Sequence, residues 1–151
     1  MTYIATIEIP KNSGRRIHKG NQPENFGKFV DFGPLIDKIK ANNGLMPLAY
    51  GFIENTIGSD GEGDEVDVMI FSEKEFKTED QVEITPFAMM MREDGDYKVL
   101  AHDDTMQIDS WDQVPGEMQK TLMEFNGFKL PIVQVKRKDE TIAYIEGVKV
   151  K

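Results

Sequence analysis

From Tyr3 to Ile9 apolar and polar side chains alternate and β-branched residues are frequent, so this stretch predicts a strand. Pro10 ends it, and Asn12-Ser13-Gly14 predicts a turn. Residues 11–28 are polar and contain glycine, and Phe26, Phe29 and Val30 supply the next short strand. Leu35, Ile36 and Ile39, within Pro34 to Lys40, predict a helical turn or two, closed by Asn42-Asn43-Gly44. Ala49 to Ile53 predicts a short aromatic strand, and Gly58 to Asp64 a loop by composition. Val66 to Phe71 predicts a strand with carboxylates at its head. Val82 to Met91 is a largely apolar strand, and Tyr97 to Ala101 returns as another. Between them Glu93-Asp94-Gly95-Asp96 makes a hairpin-type turn, because Asp-Gly tolerates positive φ. Val114 to Phe125 is the clearest helix: Met118, Leu122 and Phe125 recur at helical spacing, Pro115 sits in the first turn, and Gly127 follows as a stop. Ile132 to Val135 and Thr141 to Val150 are expected as terminal strands, joined by a charged turn over residues 136–140. Short strands with one main helix predict a mainly β (α+β) fold, a small β-barrel with a helix packed on it.

Composition narrows the function. The 151 residues show no internal repeat, low-complexity tract or long linker, so residues 1–151 are expected to form a single domain. Hydrophobic residues at 39% and charged residues at 30% fit an ordered chain. No apolar run approaches the roughly 18–20 residues of a membrane helix, so no membrane partner is expected. MTYIATIEIP lacks the features of a secretion signal, which points to the cytoplasm, the chain's own or a host's. Without cysteine there is neither disulfide nor thiolate chemistry. Asp and Glu number 27 against 18 Lys and Arg, a net charge of −9. That balance disfavours nucleic acid, which needs clustered cations, and makes metal cations the natural partners.

The chemistry concentrates in Asp60-Gly61-Glu62-Gly63-Asp64-Glu65-Val66-Asp67. Glycines let the backbone fold so that several carboxylate oxygens converge, as hard divalent cations require. Asp67 heads an apolar strand and would be held firmly. An acidic run is more often a solvated face, and an EF-hand is excluded because Glu65 occupies the place of its glycine. Glu93-Asp94-Gly95-Asp96, followed by Lys98, is a second acidic turn. Facing the first across a barrel mouth, it would complete a multi-metal site.

Ile7-Glu8-Ile9-Pro10, Tyr50-Gly51-Phe52-Ile53, Gly63-Asp64-Glu65-Val66-Asp67-Val68, Asp96-Tyr97-Lys98-Val99, and Val114-Pro115 through Phe125 with Gly127-Phe128-Lys129 occur in that order. Together they resemble the soluble family I inorganic pyrophosphatases over about residues 4–130. The resemblance implies an OB-like five-stranded barrel and Mg²⁺-dependent hydrolysis of diphosphate to two orthophosphates, with Mn²⁺ as a substitute metal. It implies that Asp64 orients or deprotonates the attacking water. It places Glu8, Glu62, Asp67, Asp96 and Asp94 at the metals, with Asp60 an alternative to Glu62 and Glu93 an alternative to Asp94. Arg16 (or Arg15), Tyr50, Lys98 and Lys129 would face the substrate. Such proteins are often oligomers, so a homo-oligomer is an open expectation.

Some positions depart from the family pattern. His18 stands where the family has a carboxylate, Phe32 where it has a phosphate-binding Arg, Phe128 where it has a Tyr, and Met46 where it has an aromatic. The family's C-terminal helix is expected to be replaced by strand. Diphosphate hydrolysis is the reading these residues favour. The alternatives are cleavage of another phosphoanhydride, such as a nucleotide, and a noncatalytic module that binds a phosphorylated ligand or a protein.

Overall fold

Among the described residues, eight strands and two α-helices order the chain: β1 (Tyr3–Ile9), β2 (Arg15–Lys19), β3 (Phe29–Pro34), β4 (Ala49–Ile53), β5 (Val66–Phe71), β6 (Gln81–Arg92), β7 (Tyr97–His102), α1 (Gly116–Asn126), β8 (Ile132–Lys136) and α2 (Lys138–Gly147). The structure is a computed structural model, and it describes residues 1–58, 63–128 and 130–150.

The main sheet runs β1-β4-β5-β7-β6-β8, and β1 also pairs with β6, so β1, β4, β5, β7 and β6 close into a ring. Closure leaves no free edge within the ring, and β8 extends the sheet from β6. The β5–β7 pairing is parallel, and the other pairings of the ring are antiparallel. β2 and β3 form a separate two-stranded antiparallel ribbon.

Two-residue periodicity sorts the side chains onto two faces. Ala5, Ile7, Ile53, Val66, Val68, Ile70, Ile84, Val99 and Ala101 form one buried cluster drawn from all five ring strands. The alternate positions Tyr50, Met69, Phe71, Met90 and Leu100 belong to a second cluster, completed by Leu122 and Phe125 of α1 and by Leu35 and Ile39. The ring is thus packed on both faces. Fully burying one such aliphatic side chain stabilises the fold by about 1.5–3 kcal/mol. Gly51 is required where β4 crosses β1, since a Cβ there would lie 1.9 Å from the Thr6 carbonyl oxygen.

A bulge in β1 re-aims its end. Ile7 pairs with Gly51 but Ile9 pairs with Tyr50, so Glu8 is the extra residue. Ile7 therefore packs in the first cluster and Ile9 in the second.

The mainly β reading holds, with a ring of five strands and α1 packed against it. The expected strand over Thr141 to Val150 is corrected: Lys138–Gly147 is helix α2. Thr141, Ile145 and Val148 lie on one helical stripe; Thr141 and Ile145 are fully buried, and Ile145 and Val148 join the first cluster. Asp139 and Glu140 occupy the first turn, where carboxylates favour a helix start, and the Arg137 amide donates to Glu140 Oε1 at 3.2 Å. The β-branched composition that suggested a strand is overridden by this packing. The residues read as a charged turn, 136–140, instead end β8 and begin α2. Strand β2, within a segment read as polar loop, is a further difference.

Candidate active site

The face of the ring that carries Met69 and Leu100 also carries charge at its end. Asp67 precedes Met69 by two residues on β5, and Lys98 precedes Leu100 by two on β7. The parallel register pairs Asp67 directly with Lys98, and β4 brings Tyr50 beside Met69. Lys98 Nζ donates to Asp67 Oδ2 at 2.5 Å and to the Tyr50 hydroxyl at 3.3 Å, and lies 3.5 Å from Asp96 Oδ2. Burial alone would lower the Lys98 pKa. The surrounding Tyr50, Asp67 and Asp96 oxygens more than offset this and hold it well above the ordinary lysine value. Tyr50 is likewise pushed well above the ordinary phenol range, by burial first and by Asp67 next, so it remains a neutral hydroxyl.

Two clefts open here, of about 430 and 190 Å³. Glu8, Asp64 and Asp67 line the larger. Asp96, Lys98 and Arg92 line the smaller, and Arg16, His18, Lys38 and Tyr50 line both. A third, small recess is shared by Asp64, Asp67 and Asp96.

Each side chain is placed by its local structure. Glu8, at the bulge, is 6% exposed; its Oε2 accepts the Lys19 backbone N–H at 2.7 Å and stands 3.6 Å from His18 Nδ1, tying the ribbon to the ring. Asp64 is exposed, and its Oδ1 accepts a bond from the Asn21 side chain at 3.2 Å. Glu65 turns to Lys19 at 2.7 Å. Arg15 and Arg16 point apart, as neighbours in a strand must. Arg15 makes a two-pronged bond to Asp31 at 2.9 and 3.0 Å in solvent, whereas Arg16 lines both clefts without an acidic partner among the described residues. Asp94 does not line the clefts: its Oδ1 accepts the Asp96 N–H at 3.1 Å and shapes the hairpin turn, where Gly95 has a φ of +83°. Glu62, Asp60 and Lys129 lie outside the described residues.

Sequence reasoning missed Arg92. It ends the apolar run of β6, is 7% exposed, and its Nη2 bonds Asp96 at 2.5 Å and approaches Asp94 at 3.5 Å. A basic residue two and four positions before carboxylates of a tight turn was the available signal. Phe32 is 48% exposed beside the larger cleft, and Phe128 lies under Lys38 and Arg92, 5.7 and 5.6 Å from its ring centre.

Among the described residues no three carboxylates or imidazoles form a ready-made metal cage. Lys98 stands between Asp67 and Asp96 as their counter-charge. The recess nevertheless gathers the carboxylates of Asp64, Asp67 and Asp96, with Tyr97 and Tyr144 also in its lining, and hard oxygen donors suit Mg²⁺. That ion needs only one or two carboxylates when water and phosphate oxygens complete its shell.

A family model described as inorganic pyrophosphatase matches residues 5–145. An inorganic pyrophosphatase of Nanoarchaeum equitans is 26% identical over 135 residues, covering 87% of this chain and 74% of the relative. One of Ureaplasma parvum is 30% identical over 104 residues, 67% of this chain and 52% of the relative. The crystal structure of inorganic pyrophosphatase from Ehrlichia chaffeensis superposes with a TM-score of 0.82 at 22% identity, over 97% of this chain and 92% of that one.

Proposed function

We propose, from the premise that this chain belongs to the inorganic pyrophosphatase family, that it hydrolyses diphosphate to two orthophosphates in the clefts that Asp64, Asp67 and Asp96 line together with Arg16, Lys38 and Lys98. The observation that carries this reading is that apposition of carboxylates and cations along one opening. Diphosphate is dense negative charge, and cleaving it is mainly a matter of positioning and charge neutralisation.

Asp67 and Asp96, with Glu8 at the back of the larger cleft, would hold Mg²⁺, and Mn²⁺ in its place. When bound, the metal supplies charge neutralisation and makes water more acidic near neutral pH. Asp64 would accept the proton of the attacking water. Its exposure and its single described bond from Asn21 support that role, because an oxygen remains open to solvent. The water oxygen forms a bond to one phosphorus, the bridging P–O bond breaks, and its electron pair leaves with the second phosphate. Arg16 and Lys98 would take up that charge, with Tyr50 donating a hydrogen bond. Lys129 and Glu62 are assigned to the site on the resemblance alone. No helix among the described residues is long and apolar enough to cross a membrane. A cytoplasmic location and homo-oligomeric assembly belong to this proposal.

Asp64→Asn separates the proposed base from the structural carboxylates. We expect kcat for diphosphate to fall by about 10²–10⁴-fold while the thermal unfolding midpoint stays near that of the parent, since Asp64 is exposed. Undiminished orthophosphate release from the folded variant would remove Asp64 from the reaction.

A further inference from the structure

We infer that Arg92 is an anion-binding residue, and that with Arg16 it forms a two-guanidinium seat for one phosphate group in the smaller cleft. The inference deepens the diphosphate reading and rests on it for the identity of the substrate.

Three observations carry it. First, Arg92 is a permanent cation in a buried place. Its side chain is 8% exposed, and a guanidinium does not shed its proton at working pH. Second, it is only partly satisfied. The two carboxylates engage Nη2 alone, and Nε is buried with no hydrogen-bond partner. A native protein seldom leaves buried donors unmatched unless a ligand or water completes them. Third, its surroundings select an anion. Arg16, Lys38, Arg92 and Lys98 line the smaller cleft, where Asp96 is the sole carboxylate among the described lining residues. Asp96 is shared by Arg92 and Lys98.

The geometry distinguishes this from a plain structural ion pair. Asp94 and Asp96 fix the plane of the guanidinium by one nitrogen, and the Phe128 ring lies 5.6 Å from its carbon. Held on two sides, the fork keeps its remaining N–H groups in one orientation. A guanidinium held this way offers phosphate oxygens directed N–H donors, whereas a lysine ammonium acts as a point charge. Arg16 enters from the ribbon and has no acidic partner among the described residues, so the pair can close on a dianion from two walls.

The test uses the full chain and inorganic phosphate as the probe, titrated calorimetrically without turnover, beside diphosphate kinetics. For Arg92→Met we expect orthophosphate affinity and kcat/KM for diphosphate each to fall about 10- to 100-fold. Arg92→Lys should recover part of the affinity but not all. Added guanidinium ion should restore turnover of Arg92→Ala in a saturable way, a response that a merely structural role would not give. Phosphate affinity equal to the parent's in folded Arg92→Met would overturn the inference. So would a folded Arg92→Lys indistinguishable from the parent, even if Arg92→Met failed to fold. If the parent binds phosphate through Arg92 but releases none from diphosphate, the substrate assignment fails and the phosphate seat stands.

Discussion

Lys98 stands between Asp67 and Asp96, so the two carboxylates share one ammonium instead of facing each other bare. At the other end of β7, Asp103 solves the same problem with neutral donors. It is 3% exposed, Ser72 and Thr105 donate their hydroxyls to it, and the Thr105 amide adds a bond at 2.9 Å. Burial pushes its pKa up, but these bonds outweigh burial and hold the carboxyl below its ordinary value. A depressed folded pKa gives stability that is present above the unfolded value near 4 and is lost as pH falls through the folded one. Asp103→Asn, which mimics the protonated acid, should therefore cost about 1.5–3 kcal/mol at pH 7. Urea denaturation should show that difference narrowing as the pH is taken below about 4, towards the folded pKa. A gap constant with pH would show that the charge on Asp103 does not stabilise the fold.

Among the elements, α2 differs most from what its sequence suggests. Ile145 is fully buried against the cluster that draws on all five ring strands, and Tyr144 meets Tyr97 at 4.6 Å between ring centres. Ile145→Ala should lower stability by about 2–5 kcal/mol, read as a drop in the denaturant midpoint at unchanged slope. A loss below about 0.5 kcal/mol, the usual range for a surface position, would mean that α2 does not pack there. Of the ring strands, β1 was legible from its alternation, and β4, β5 and β7 from short apolar runs bounded by turn residues, the pattern of strands buried on both faces. In α2 the same β-branched residues satisfy a helical stripe, and only the surface they meet decides between the two. β2 was hidden for the opposite reason: Arg15-Arg16-Ile17-His18-Lys19 has one aliphatic residue, and its pairing with β3 is set by backbone bonds. The acidic side chains were readable because they sit close together in the chain. Arg92 was not, because a lone basic residue before a turn carries no sign of its burial, and the Phe128 ring that lies 5.6 Å from its guanidinium arrives from beyond α1.

For the whole molecule, a net charge of −9 coexists with a local concentration of cations. Arg16, Lys38, Arg92 and Lys98 gather from the ribbon, the segment after it, and two neighbouring strands, around clefts that Asp64 and Asp67 also line. That polarity would let one opening hold both a divalent cation and a polyanion. The central claim is that this opening hydrolyses diphosphate with a metal held by Asp67. Its most direct test is orthophosphate release from diphosphate at about pH 8 as Mg²⁺ is titrated, for the parent and for Asp67→Asn. The expected result is release that rises from near zero with Mg²⁺ in the parent and is lost in a folded Asp67→Asn. Release by Asp67→Asn that matches the parent across the Mg²⁺ range, or no release from the folded parent, would contradict it.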